Sequence, residues 1–202
     1  MKKIIITGAS GMVGGNALEY LLENEEVGEV LSFVRKSSDK SHAKLKEIVV
    51  PDFYNYENSG VDFSNVDAAL FCIGVYTGAV DRETFAKITI DMTVVFAEAL
   101  KAASPNATFC LLSGMGADRT EKSRTMFAKD KGIVENKLEA MNFGAFHTFR
   151  PGYIYPVVPR EEPNLMYRIS RWLYPVLKYM GRNASIKSTD LAMGMVLSLI
   201  HI

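Results

Sequence analysis

At 202 residues, with 48% hydrophobic and 23% charged side chains, the chain has the make-up of a globular protein able to bury a sizeable core. Its 23 basic and 23 acidic residues cancel, which excludes bulk attraction to nucleic acid or to an anionic membrane. Cys72 and Cys110 lie in apolar runs without a CxxC neighbour, and His42, His147 and His201 are scattered, so neither a disulfide framework nor a metal site is expected. No apolar run reaches the length of a membrane span, and "MKKIIITGAS" meets glycine too early for a signal peptide. A cytoplasmic protein is expected, in which the sequons at 106–108 and 183–185 carry no sugar.

In chain order, "KIIIT" (3–7) reads as a strand, followed by a glycine loop and the helical "MVGGNALEYLL" (12–22). Strands follow at "EVLSFV" (29–34), "EIVV" (47–50) and "AALFCI" (68–73). Residues 82–103 have a helical pattern that should stop before Ser104-Pro105. "TFCLL" (108–112), a helix over 125–141 and "AFHTFR" (145–150) complete the alternation. Near-continuous apolar strands are what a parallel sheet covered by helices on both faces requires. The fold class is therefore α/β, a doubly wound parallel sheet built from right-handed crossovers. Beyond Pro151 a proline-rich loop leads to a basic, aromatic helix at 164–180, so 151–202 reads as a small C-terminal segment on the substrate side of one domain. The chain stops inside an apolar helical pattern, "AMGMVLSLIHI", and a truncated C-terminus is expected.

"TGASGMVG" sets Gly8, Gly11 and Gly14 directly after the first strand and at the mouth of the first helix. Such glycines let the chain turn tightly and let a pyrophosphate approach backbone N–H groups, so Ser10, Met12 and Val13 also join the candidate dinucleotide site. The spacing is GxxGxxG, and a turn in a protein that binds nothing could carry it too. The second strand ends in "FVRKSS", with Arg35 and Lys36 where an acid would accept from the ribose 2′-hydroxyl of NAD. With no acid between Glu29 and Asp39, NADP is expected over NAD, its 2′-phosphate facing the Arg35 guanidinium. Solvated charges at a strand end are the alternative. Asp52 is placed to meet the adenine amino group or to cap a turn, and Phe53 lies near the ring. Cys72, Ile73 and Gly74 should pass beside the cofactor ribose.

Six segments in order, "TGASGMVG", "FVRK", "FCIGVYTG", "LLSGMGAD", "KDKGIVENKL" and "FRPGYIY", resemble the short-chain dehydrogenase/reductase superfamily. More narrowly, they are similar to the atypical NAD(P)-binding group that includes the Tat-interacting oxidoreductase-like and NmrA-like proteins. The resemblance implies a Rossmann fold binding NADP at the C-terminal ends of its strands, with Pro151, Gly152 and Tyr153 also near the cofactor. It implies that Ser113 orients a substrate carbonyl and that Lys131 binds the nicotinamide ribose and tunes a tyrosine one turn earlier. That tyrosine position is Phe127.

Phenylalanine has no proton to give, and losing a general acid costs about a hundred- to ten-thousand-fold in rate. Tyr76, Tyr153 and Tyr155 lie on loops expected near the nicotinamide, each of them equally a packing aromatic. "YPVLK" (174–178) has Tyr-x-x-x-Lys spacing but follows the sixth strand and contains Pro175, so it is set aside. Phe127, Val134, Leu138 and Met141 recur as a core stripe, and Lys131 falls on it, where a buried lysine needs a partner. The helix at 164–180 is expected to pack on its own domain and roof the substrate site rather than lie on a membrane. The expectation is thus an NADP(H)-binding protein, either reducing a small apolar carbonyl compound or serving as a non-catalytic sensor or scaffold. Its partners are a small-molecule substrate or none, with a homodimer open.

Overall fold

The computed structural model describes residues 1–56, 59–158, 174 and 185–200. Six strands form one parallel sheet: β1 (Lys2–Thr7), β2 (Val27–Val34), β3 (Leu45–Val49), β4 (Ala68–Phe71), β5 (Thr108–Leu112) and β6 (Ala145–Phe149). Their order is β3-β2-β1-β4-β5-β6, which is the doubly wound Rossmann order with its reversal between β1 and β4. The expected strands and alternation are present. A pair not foreseen, β7 (Tyr153–Tyr155) and β8 (Ser185–Lys187), makes a separate two-stranded parallel sheet. Three residues each are too short to show a period in sequence.

Side-chain alternation splits the core in two. Ile4, Ile6, Val30, Leu70 and Cys110 face one side, where they meet α1 (Met12–Glu23) through Val13, Ala17, Leu18 and Leu21. α5 (Ser188–Ile200) covers the same side through Leu191, Met195 and Leu199. The segment beyond residue 150 therefore contributes to the main core. Lys2 Nζ reinforces this packing by donating to the Leu199 and Ile200 carbonyls, 2.8 and 2.9 Å away, at the negative end of α5.

On the opposite face Ile5, Phe33, Phe71, Phe109 and Leu111 meet α3 (Met92–Ala103) and α4 (Met126–Ala140). Residues 82–103 run as one helical path, α2 (Arg82–Ala86) passing through a π-helical turn at Lys87–Asp91 into α3. Such turns occur as single widened turns within α-helices. Asp81 caps α2 by accepting from the Thr84 N–H. At its start, Arg82 grips the fully buried carboxylate of Asp130 on α4 with two hydrogen bonds of 2.6 and 2.8 Å. Of the expected helix at 164–180, Tyr174 alone lies among the described residues, and Arg168, Arg171, Lys178 and Arg182 lie outside them. No helix among the described residues is long and apolar enough to cross a membrane.

α4 is held close to the loop after β5. A Cβ added at Gly132 would stand 1.8 Å from the Asp118 carbonyl oxygen. Gly132→Ala should lower Tm by about 5 °C, because overpacking of about 1–3 kcal/mol exceeds the helix-propensity gain of about 1 kcal/mol. Thermal unfolding followed by circular dichroism measures this. A raised Tm would show that the loop is not packed on the helix.

Candidate functional site

The reversal of strand order opens a crevice at the C-terminal ends of β1 and β4, and the glycine loop sits there. Gly8 has φ +73°, and a Cβ on it would lie 2.8 Å from the Cys72 backbone carbonyl, so both conformation and space demand glycine. Gly14 is pressed as closely: its Cβ would lie 2.3 Å from Gly8 O. Gly11 caps α1 without a side-chain hydrogen bond and donates to Gly8 O at 2.9 Å. Ser10 and Gly11 are exposed, whereas Val13 is buried and Met12 packs on the core. The first-turn N–H groups of α1 thus face the crevice with no side-chain cap, which suits a phosphate.

Beside the loop, Arg35 and Lys36 are exposed at the end of β2, and among the described residues neither pairs with an acid. The following turn is anchored on β3: Glu47 accepts from Ser37 Oγ at 2.8 Å and from Ser38 N and Oγ, both at 2.7 Å. The Ser38 hydrogen bonds hold the Glu47 carboxyl below its ordinary range. Asp52 accepts from Tyr54 N–H at 2.8 Å, capping a turn. Phe53 is buried edge-on to Tyr56 with ring centroids 6.4 Å apart, so its ring belongs to the core. Gly74 is exposed beside half-buried Cys72 and Ile73.

At the end of β5 the chemistry concentrates. Lys131 reaches in from α4, 7% exposed, and donates to the Leu112 carbonyl at 3.3 Å. Burial pushes its ammonium down to about 8, although the Glu135 carboxylate and Cys72 act the other way. Glu135, one turn further along α4, is fully buried. It accepts from Ser113 Oγ at 2.5 Å, from Arg119 Nε at 3.0 Å and from Arg150 Nε at 3.0 Å, with a further contact from the second Arg150 nitrogen. Burial would raise its pKa, but the bonds from Arg150, Ser113 and Arg119 outweigh it and hold the carboxyl below the ordinary value. Burial also pushes the thiols of Cys72 and Cys110 up, that of Cys110 to about 12, so neither is an activated nucleophile.

Phe127 occupies the remaining corner. A Cβ on Gly114 would fall 2.3 Å from Phe127 Cζ, so the ring tip fills the place of the side chain that Gly114 lacks. The backbone of this strand end is tied to the end of β6: Ser113 N–H donates to Phe149 O and Met115 N–H to Pro151 O, both at 2.8 Å. Pro151, Gly152 and Tyr153 are half-buried along that edge. Tyr155 is stacked on Tyr174, centroids 3.9 Å apart. The structure thus brings together Ser113 and Lys131, and near them Cys72. Three groups that sequence reasoning missed complete the cluster: Glu135, Arg119 and Arg150. The helical spacing Phe127, Lys131, Glu135 was the available signal, since residues four apart share a face. Among the described residues no cluster of three His, Cys, Asp or Glu side chains could hold a metal.

This geometry defines a Rossmann-type protein with a dinucleotide crevice and a polar strand-end cluster. The profile of the NAD dependent epimerase/dehydratase family matches residues 4–185, and the chain belongs to that family. Protein HTATIP2 of Rattus norvegicus is 28% identical over 175 residues, covering 85% of this chain and 68% of that protein. Among solved structures, the PhqB reductase domain from Penicillium fellutanum superposes with TM-score 0.73 at 16% identity, over 100% of this chain and 65% of that one. Gre2 from Candida albicans, in complex with NADPH, gives TM-score 0.69 at 12% identity, over 98% of this chain and 74% of that one. These two structures share the fold. The chain spans about two thirds of the length of HTATIP2 and of the PhqB domain.

Lys131 yields a pH test. Its native value near 8 lies below the ordinary 10.5 of an unfolded lysine. Between those values the unfolded chain binds a proton that the folded chain has released, so stability gains with rising pH; below about 8 both states are charged and the slope vanishes. Urea midpoints of the protein relative to Lys131→Met should therefore rise across that window. A flat difference would mean that the ammonium is solvated.

Proposed function

We propose that the protein binds NADP(H) along the C-terminal ends of β1, β2 and β4 and acts as a reductase-type member of its family on a small carbonyl or alcohol compound. The observation that carries this is Lys131, a buried ammonium whose hydrogen bond among the described residues is one 3.3 Å contact to a backbone carbonyl. Its remaining N–H groups suit ribose hydroxyls, and desolvating a charge without such acceptors would be costly. The Gly8–Cys72 close approach and the uncapped start of α1 suit the pyrophosphate. Arg35 and Lys36, held by no acid among the described residues, suit a 2′-phosphate. Bound NADPH would supply hydride. A cytoplasmic location and a homodimer belong to the same proposal.

Phe127 favours a second reading, a nucleotide-binding sensor or scaffold without catalysis. Its ring rather than a phenol lies against Gly114, and the Ser113 proton is committed to Glu135. NADPH oxidation in the presence of a panel of aldehydes and ketones separates the two, since turnover of any of them would sink the sensor reading.

Arg35→Ala should weaken NADP(H) binding by about 10- to 100-fold, the worth of a charge-assisted hydrogen bond, and leave NAD(H) within about two-fold. Calorimetric titration measures both, and equal losses would contradict the 2′-phosphate assignment. Phe127→Tyr should raise NADPH-dependent reduction at least about 100-fold. No gain would show that the proton path, and not the phenol alone, is missing.

A further inference from the structure

The resemblance assigns Ser113 the task of donating a hydrogen bond to a substrate carbonyl, but its surroundings deny it the proton. Glu135 is fully buried, and two guanidinium groups keep it ionised, so its oxygens can only accept. At 2.5 Å from Glu135 Oε1, the Ser113 hydroxyl must therefore be the donor of that bond. A serine has one O–H, and once it is spent on Glu135 only lone pairs remain. Two neighbouring backbone donors are also taken: Ser113 N–H is bonded to Phe149 O and Met115 N–H to Pro151 O.

We infer that Glu135 is a positioning residue that turns Ser113 into a hydrogen-bond acceptor, so that the ligand group seated on Ser113 is an O–H or N–H donor rather than a bare carbonyl. The inference rests on the proposed nucleotide site only for the direction from which the ligand arrives. A hydroxyl suits the place twice over, since it donates to Ser113 and can accept from Lys131, whose Nζ is anchored on the carbonyl of the preceding residue. A carbonyl at the same place would set an oxygen against the oxygen of Ser113. The donor could belong to an alcohol or to the carboxamide N–H of the nicotinamide, and both present the same chemistry.

The test uses the intact protein in three measurements. Calorimetric titration with NADP+ comes first, because failure to bind would refute the nucleotide site by itself. Next, the protein saturated with NADP+ is titrated with cyclohexanol and with cyclohexanone. The alcohol should bind more tightly, and Ser113→Ala should cost it about 5- to 10-fold, the worth of one hydrogen bond, without affecting the ketone. If the nicotinamide amide is the donor, the same loss falls on NADP+ and spares the alcohol. Ser113→Ala leaving both NADP+ and cyclohexanol unchanged would overturn the inference, as would a ketone that binds more tightly and depends on Ser113. Glu135→Gln, whose amide can donate to Ser113, should shift the preference toward the ketone, which a merely structural role would not do. The third measurement holds even if that variant fails to fold. A slowly exchanging, downfield hydroxyl proton in the NMR spectrum of the unliganded protein should vanish in Ser113→Ala. Its absence would overturn the hydrogen-bond assignment whatever the nucleotide does.

Discussion

The buried carboxylate of Glu135 is the interaction on which the site depends. Three donors reach it from separate parts of the chain: Ser113 at the end of β5, Arg119 in the loop that follows, and Arg150 at the end of β6. A carboxylate taken fully out of water survives only with such partners, and each partner is fixed in turn by having to be there. Arg119 extends the network to Glu139 at 2.8 Å, one turn further along α4. Strand ends, loop and helix are thereby locked at the place where a ligand would meet the sheet. Removing the carboxylate would leave two guanidinium groups facing each other, which makes Glu135 structural as well as chemical.

A second constraint is backbone proximity. Gly8 lies against the Cys72 carbonyl, Gly14 against Gly8, Gly132 against Asp118, and Gly114 under the Phe127 ring. The first two shape the mouth of the crevice, and the last two set how near α4 comes to β5. That approach desolvates Lys131 and lowers its pKa, so electrostatics at this site follow from steric room. The same approach closes the phenol position with an apolar ring. A buried lysine and an apolar ring at the phenol position therefore sit side by side on one helix.

Much of the fold was legible because a parallel sheet covered on both faces writes itself as apolar runs separated by helical periods. β1, β2, β4, β5 and β6 announce themselves in this way, and 82–103 was readable as one helix despite its π-helical turn. The pair β7–β8 was not, since three-residue strands with no fully buried side chain carry no period. Phe53 shows a different limit: an aromatic after a strand can stack on a ligand or enter the core, and only its edge-on contact with Tyr56 within the buried cluster puts the ring in the core. The direction of the Ser113 hydroxyl could not be read either, because it is set by a partner 22 residues away in sequence.

By itself, then, the sequence determined the α/β alternation, the glycine loop at the first helix, the basic end of β2, and the replacement of a phenol by Phe127. Each is a local property, expressed in period, spacing or residue type over a few positions. The tertiary structure decided that Lys131 is buried and that Glu135, a charged residue of the kind usually solvated, sits at the centre of a network. It also decided that the proton of Ser113 points inward. These depend on how close helix α4 is brought to the sheet, and that distance is set by contacts between segments far apart in the chain.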